Sequence, residues 1–265
     1  MMSQPKRVFA PWLKTIRKAA FFLRTDQLRT LRKYILILED KIQSRFHLID
    51  LLVFSLSKAR LYLYMDRERS LEDVLHTAYT YSGYWAYRCI IPQQIFCEMQ
   101  QLAKEVKKVS PSTVLEIGTS NGGTLYVWSR YLESCQGIIS IDLPEAYPYA
   151  KMKFFELFDT NKKFCFLRLN SHNKETRTRL SRLLKNDKID FLFIDGDHSY
   201  NGVKQDFEMY KQFVASGGII GFHDIVYHPD YGVSMFWNEI KHNYASKEII
   251  ASKKQVGYGI GILYV

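Results

Sequence analysis

Two short stretches of this chain concentrate groups that can hold a metal or move a proton. Ile189 to His198 reads Ile-Asp-Phe-Leu-Phe-Ile-Asp-Gly-Asp-His, and Gly217 to Asp224 reads Gly-Gly-Ile-Ile-Gly-Phe-His-Asp. Each is an apolar run that ends in acids and a histidine. If the two runs are neighbouring strands, Asp195 and Asp224 present carboxylate oxygens to one point, an arrangement suited to a hard cation such as Mg²⁺. His223 adds an imidazole, which suits Mn, Fe or Zn better than Mg²⁺. His198, a side chain that titrates near neutrality, is the best candidate to take a proton from a reacting hydroxyl. Asp197 either orients His198 or serves as a metal ligand itself, and both roles stay open at this point.

A third stretch is built for binding. Val114 to Thr124 reads Val-Leu-Glu-Ile-Gly-Thr-Ser-Asn-Gly-Gly-Thr: a short apolar strand through Glu116, then Gly118 and Gly122, then a helix from near Thr124. Glycines at a strand-to-helix turn let the backbone approach a ligand without side-chain collision. That edge of an open α/β sheet is where ligands bind. Gly137-Ile-Ile-Ser-Ile-Asp142 ends a further apolar run in an acid, placed where nucleotide-binding α/β folds hydrogen-bond ribose hydroxyls. The spacing Glu-x-Gly-x-x-x-Gly is not the Gly-x-Gly-x-x-Gly of nicotinamide enzymes.

The elements that must position these groups follow from periodicity. Ile95, Met99, Leu102 and Val106 recur at helical spacing, and Ser110-Pro-Ser ends that helix. After it, helix patterns at 125–132, 150–158 and 175–184 alternate with a strand at 164–169, and Asn173 or Ser171 caps the third helix. Val203, Phe207, Tyr210 and Val214 form an apolar stripe on the helix after His198, and 235–241 is a further helix. Glu248-Ile-Ile and residues 258–265 read as strands that pair antiparallel at the sheet edge. Alternation of this kind predicts a doubly wound, mostly parallel sheet.

The ordered set Glu116, Gly118 and Gly122, then Asp142, then Asp195-Gly-Asp-His198, then His223-Asp224 resembles class I S-adenosylmethionine-dependent methyltransferases. Within them it is most similar to the branch of macrolide-sugar O-methyltransferases and cephalosporin hydroxylase-like proteins, methyltransferase family 24. The resemblance covers roughly residues 81–265. It implies an α/β, seven-stranded Rossmann-like fold with S-adenosyl-L-methionine as cofactor. Glu116 would lie near the amino-acid end of the cofactor, and Gly118, Gly122 and Gly123 would keep the turn open. Asp142 would hold the ribose, and Asn170 and Ser171 would meet the adenine region. His198 would act as base with Asp195 beside it. A divalent metal, Mg or Mn, would sit on Asp195, His223 and Asp224, although the family has an acidic or amide pair where this chain places His223. Among Tyr81, Tyr84, Trp85, Tyr87, His228, Tyr231 and Trp237 some would wall the acceptor site, most of the seven being packing residues. The reaction implied is methyl transfer to a hydroxyl of a sugar or secondary metabolite, the acceptor being a small molecule or glycan.

The remaining features concern organisation and partners. At 265 residues the chain can bury a full core. Residues 1–80 are expected to form a basic, helical N-terminal extension, since they contain no glycine and no proline after Pro11, and residues 81–265 the methyltransferase domain. Residues 1–33 carry nine basic side chains against one acid, Asp26, and so hold +8 of the net +10. With Phe9, Trp12, Phe21 and Phe22 among them, that segment suits the surface of an anionic membrane. Nucleic acid ranks well behind as a partner, and a homo-oligomer is compatible with the family. No run reads as a membrane span: 46–64 is broken by Asp50, Lys58 and Arg60. With no signal peptide evident either, the expected location is cytoplasmic, with a peripheral membrane contact allowed. The four cysteines, Cys89, Cys97, Cys135 and Cys165, have no metal-binding spacing and are expected to be reduced and mostly buried. Two other readings compete: a non-catalytic cofactor- or partner-binding scaffold docking on membranes, and an RNA methyltransferase.

Overall fold

The computed structural model describes residues 47–265; the basic segment 1–33 lies outside the described residues. Two helices open this part, α1 (His47–Met65) and α2 (Leu71–Thr80), followed by α3 (Phe96–Lys108). Strands and helices then alternate: β1 (Thr113–Ile117), α4 (Gly123–Tyr131), β2 (Gly137–Asp142), α5 (Lys151–Phe155), β3 (Lys163–Arg168), α6 (Lys174–Leu184), β4 (Ile189–Ile194), α7 (Tyr200–Tyr210), β5 (Val214–His223) and α8 (Val233–Ile240). Strands β6 (Ala245–Ile249) and β7 (Ile260–Tyr264) close the chain.

The seven strands form one sheet in the order β3-β2-β1-β4-β5-β7-β6. The first five are parallel, and β7 runs antiparallel between β5 and β6. Strand order reverses between β1 and β4, so the crevice beyond their carboxyl ends is the topological switch point where α/β folds bind ligands.

The side chains alternate across the sheet as the two-residue period demands. Val114, Ile138, Phe191, Phe193, Ile219, Ile260 and Ile262 face the layer that contains α1 to α4. Leu115, Ile117, Ile139, Ile141, Leu192, Ile194, Ile220, Phe222 and Leu263 face the layer of α6, α7 and α8. A parallel sheet covered on both faces needs strands that are apolar throughout. That explains why 138–141 is apolar apart from Ser140 and 191–194 is apolar throughout.

Several boundaries differ from expectation. The helix expected over 150–158 shortens to α5, and the one expected over 235–241 shifts to α8. Val214, expected on the α7 stripe, instead begins β5, because the chain tightens into a 3₁₀ turn at Lys211–Phe213. Neither Ser171 nor Asn173 caps α6 through its side chain: Asn173 occupies the N-cap without a side-chain hydrogen bond. The cysteines are less buried than expected. Only Cys135 is buried, Cys97 is exposed, and Cys89 and Cys165 are half-buried.

Candidate active site

The cofactor side of the crevice is held together by Asp142. At the end of β2 its Oδ2 accepts hydrogen bonds from the backbone N–H groups of Thr119 (2.8 Å) and Ser120 (2.9 Å), and its Oδ1 from Leu143 (2.7 Å). The acid therefore shapes the glycine turn.

The glycines are required by the protein's own packing. Gly118 has φ +90, and a Cβ there would lie 2.0 Å from the carbonyl oxygen of Asp195. Gly122 (φ +84) faces the ring of Phe155, and Gly123 abuts the backbone of Ile90 and Pro92. The close approach at Gly118 draws the end of β4, and with it Asp195, against the turn.

Glu116 is fully buried on β1, and its Oε2 accepts from the indole N–H of Trp128 at 2.9 Å. Burial pushes its carboxyl up to about 8, against the opposing hydrogen bonds from Thr124 and Trp128. It is thus held largely protonated at neutral pH, the reverse of an ordinary surface glutamate.

Beyond the ends of β4 and β5, four side chains converge. Asp195, His198, His223 and Asp224 each offer one ligand atom, and these atoms all lie within 4.8 Å of one another. His223 Nδ1 is 2.9 Å from Asp195 Oδ1 and 3.3 Å from Asp224 Oδ2. His198 is bracketed by the same acids, with Nε2 3.4 Å from Asp195 Oδ1 and Nδ1 3.4 Å from Asp224 Oδ2. Asp224 is itself constrained: its φ is +61, and its Oδ1 accepts from the backbone N–H of Tyr258 at 2.8 Å.

Electrostatics follow from this geometry. Burial alone would raise the Asp195 carboxyl, but the charge of His223 and the hydrogen bonds from His198 and His223 hold it well below the usual carboxylate range. Burial works against a charged His223, yet Asp195 and then Asp224 push its pKa up to about 10. His198 is raised as well, its burial outweighed by Asp195 and Asp224. Two acids and two imidazoles so arranged can share a divalent cation, or hold protons as a network of carboxylates and imidazoliums.

The other expected residues sort as follows. Asn170 and Ser171 lie just past β3 on the same edge of the sheet. Asn170 Oδ1 accepts from the N–H of His172, and the carbonyl of Ser171 accepts from the hydroxyl of Tyr210. Asp197 is outside the four-residue group: its Oδ1 accepts from the N–H of Ser199, the residue whose hydroxyl caps α7 by accepting from the N–H of Gly202. Of the aromatic residues, His228 stacks on Tyr231 (4.2 Å), and Tyr231 meets the ring of His198 edge-on at 4.7 Å. Tyr81, Tyr87 and Trp237 do not wall a site. They are core residues: Tyr81 donates to the carbonyl of Ser57, Tyr87 packs edge-on against Phe54, and Trp237 lies against Gly261. Tyr84 and Trp85 are exposed.

Sequence reasoning missed Gln94, whose Nε2 donates to Asp195 Oδ2 at 2.7 Å. It is the second of two glutamines between Pro92 and a helix, with no motif around it. Only its place in three dimensions, folded over the glycine turn, gives it away.

Comparison with known proteins agrees with this architecture. Residues 115–225 match the model of a methyltransferase domain family. An uncharacterised protein, y4gI of Sinorhizobium fredii, is 26% identical over 148 residues, or 51% of this chain and 16% of that protein. The uncharacterised protein R132 of Acanthamoeba polyphaga mimivirus is 29% identical over 128 residues, 48% of this chain and 57% of that protein. The chain thus spans less than two thirds of either relative. Among solved structures, a candidate O-methyltransferase from Klebsiella pneumoniae superposes with a TM-score of 0.52 at 17% identity, covering 81% of this chain and 99% of its own. CalS11, a TDP-rhamnose 3′-O-methyltransferase of calicheamicin biosynthesis, superposes with a TM-score of 0.50 at 11% identity, covering 78% and 92%. Identities this low establish a shared fold.

Proposed function

From the match of residues 115–225 to a methyltransferase domain family, we propose that this protein transfers a methyl group from S-adenosylmethionine to a hydroxyl of a small-molecule or glycan acceptor, assisted by a divalent cation. The observation that carries the proposal is the placement of Asp195, His198, His223 and Asp224 beside the glycine turn that Asp142 holds. The cofactor and the proton-handling groups then share one crevice. The fold shared with a sugar O-methyltransferase supports a sugar hydroxyl as the acceptor.

In the reaction, the acceptor oxygen attacks the sulfonium methyl carbon. The new C–O bond forms as the C–S bond breaks, S-adenosylhomocysteine leaves, and the hydroxyl proton passes to the imidazole of His198. His198 suits that task because Asp195 and Asp224 flank it and stabilise its protonated form. Tyr231, against the His198 ring, limits how the acceptor can lie.

The donor set fits a divalent cation. Ligand atoms within 4.8 Å of one another match the spread around a common centre at about 2.0–2.4 Å from each. Two carboxylates with His223 give mixed oxygen and nitrogen ligation, which favours Mn or a similar metal over Mg. Such an ion would supply Lewis-acid stabilisation of the acceptor alkoxide.

Titration calorimetry with S-adenosylmethionine, with and without Mg²⁺ or Mn²⁺ and beside an Asp142→Ala variant, tests the proposal. Micromolar binding that the variant loses is the expected outcome. No binding by the wild-type protein under any metal condition would overturn it.

A further inference from the structure

Gln94 is 4% exposed, and its amide is split between two tasks. Its Nε2 donates to Asp195 Oδ2 at 2.7 Å. A carboxylate accepts and does not donate, so the NH₂ group must face Asp195 and the carbonyl must face away from it. That carbonyl oxygen, Oε1, is buried without a hydrogen-bond partner among the described residues. A buried acceptor left unmade costs free energy, so such atoms in binding crevices are commonly satisfied by ligands.

The segment that carries Gln94 is fixed against the glycine turn. The Tyr79 hydroxyl donates to the Gln94 backbone carbonyl at 2.7 Å. Gln93 Nε2 donates to Ser120 Oγ, in the glycine turn, at 2.9 Å. Pro92 lies against Gly123 at the start of α4. Gln94 therefore sits over the turn at the reversal point of the sheet, joined on one side to Asp195.

We propose that Gln94 is a cofactor-binding residue: its side-chain carbonyl oxygen receives the positively charged end of the S-adenosyl donor while its NH₂ group fixes Asp195. The inference rests on the methyl-donor reading above and adds to it a residue that reads cofactor charge. The charge has two sources, the sulfonium and the α-ammonium. Both are present in S-adenosylmethionine, and only the ammonium remains in S-adenosylhomocysteine.

The test is calorimetric titration of both compounds into wild type, Gln94→Leu and Gln94→Glu, with thermal unfolding of each variant recorded alongside. Leucine removes donor and acceptor together. A glutamate keeps a side-chain acceptor oxygen for the cofactor but has no NH₂ group to donate to Asp195. Gln94→Leu should lose at least about tenfold in S-adenosylmethionine affinity, and Gln94→Glu should stay within about threefold of wild type. An equal loss for S-adenosylhomocysteine assigns the contact to the ammonium, and an unchanged affinity assigns it to the sulfonium.

Wild-type affinity in a folded Gln94→Leu variant would overturn the inference while leaving the methyl-donor reading intact. Equal losses in Leu and Glu variants would also overturn it, since the effect would then run through Asp195 alone. A wild-type protein that binds neither compound would overturn both.

Discussion

Glu116 carries a pH signature that can be measured without knowing the acceptor. Burial raises its carboxyl to about 8 in the folded protein, whereas the unfolded chain titrates at about 4.3. Between those values the folded state holds a proton that the unfolded state has released. Stability attributable to this group is therefore greatest at low pH, falls as pH rises from near 4.5 toward 8, and levels off above. At about 1.4 kcal/mol for each pH unit inside that window, the loss across it is on the order of a few kcal/mol. Glu116→Gln keeps an acceptor for Trp128 and removes the titration. Its melting temperature should exceed that of wild type at pH 8, with the gap closing toward pH 5. Melting curves that track in parallel across that range would show that Glu116 ionises normally.

At the scale of elements, the turn from β1 to α4 is where strand, turn and site depend on one another. Gly118 combines φ +90 with a Cβ position 2.0 Å from the backbone of Asp195. Gly118→Ala should cost roughly 3 kcal/mol or more, strain and overpacking together, read as a lower midpoint in denaturant. Gly137, at the start of β2, has nothing within 4 Å of its Cβ position. Gly137→Ala should be neutral or stabilise by up to about 1 kcal/mol. If the two variants behaved alike, the packing role assigned to Gly118 would fail.

The same turn separates what is local in the sequence from what is not. Alternation of elements and the acids at strand ends reveal the sheet, its antiparallel edge and the meeting of Asp195, His198, His223 and Asp224, because strand period and strand-end position are local facts. The reason for the glycines is not legible in the sequence. Their spacing suggests that they serve a ligand, and the fold adds that Gly118, Gly122 and Gly123 each accommodate a neighbour more than 25 residues away in the chain: Asp195, Phe155 and Pro92. Gln94 and the core positions of Tyr81, Tyr87 and Trp237 are hidden for the same reason. A glutamine or aromatic residue acquires its role from partners that only the fold supplies.

At the scale of the whole molecule, the question is where the catalytic unit begins. The sequence suggests residues 81–265, with residues 1–80 as an extension. Yet α1 and α2 contribute Val53, Leu61, Leu71, Val74, Leu75 and Ala78 to the same buried cluster as Trp128 and Phe191 of the sheet layer. Polar contacts follow the same path. Glu68, just before α2, receives the Tyr126 hydroxyl and pairs with Arg130 at 2.9 Å, both on α4. Ser57 of α1 accepts from Tyr81 through its carbonyl and from the N–H of Tyr84 through its hydroxyl.

Removing residues 1–80 would strip one side of the helical layer that covers α4, the helix that begins at the glycine turn, and leave Arg130 without its carboxylate. Each buried aliphatic side chain contributes about 1.5–3 kcal/mol, against a total stability of about 5–15 kcal/mol for a domain. A chain starting at residue 81 should therefore lack a cooperative thermal transition and bind S-adenosylmethionine at least about tenfold more weakly than the full chain. A chain starting at residue 47, which keeps Val53, Leu61, Leu71, Val74, Leu75 and Ala78, is the control for that comparison. A sharp transition and full affinity in the shorter fragment would instead make 81–265 an autonomous domain, with α1 and α2 packed against it as an accessory.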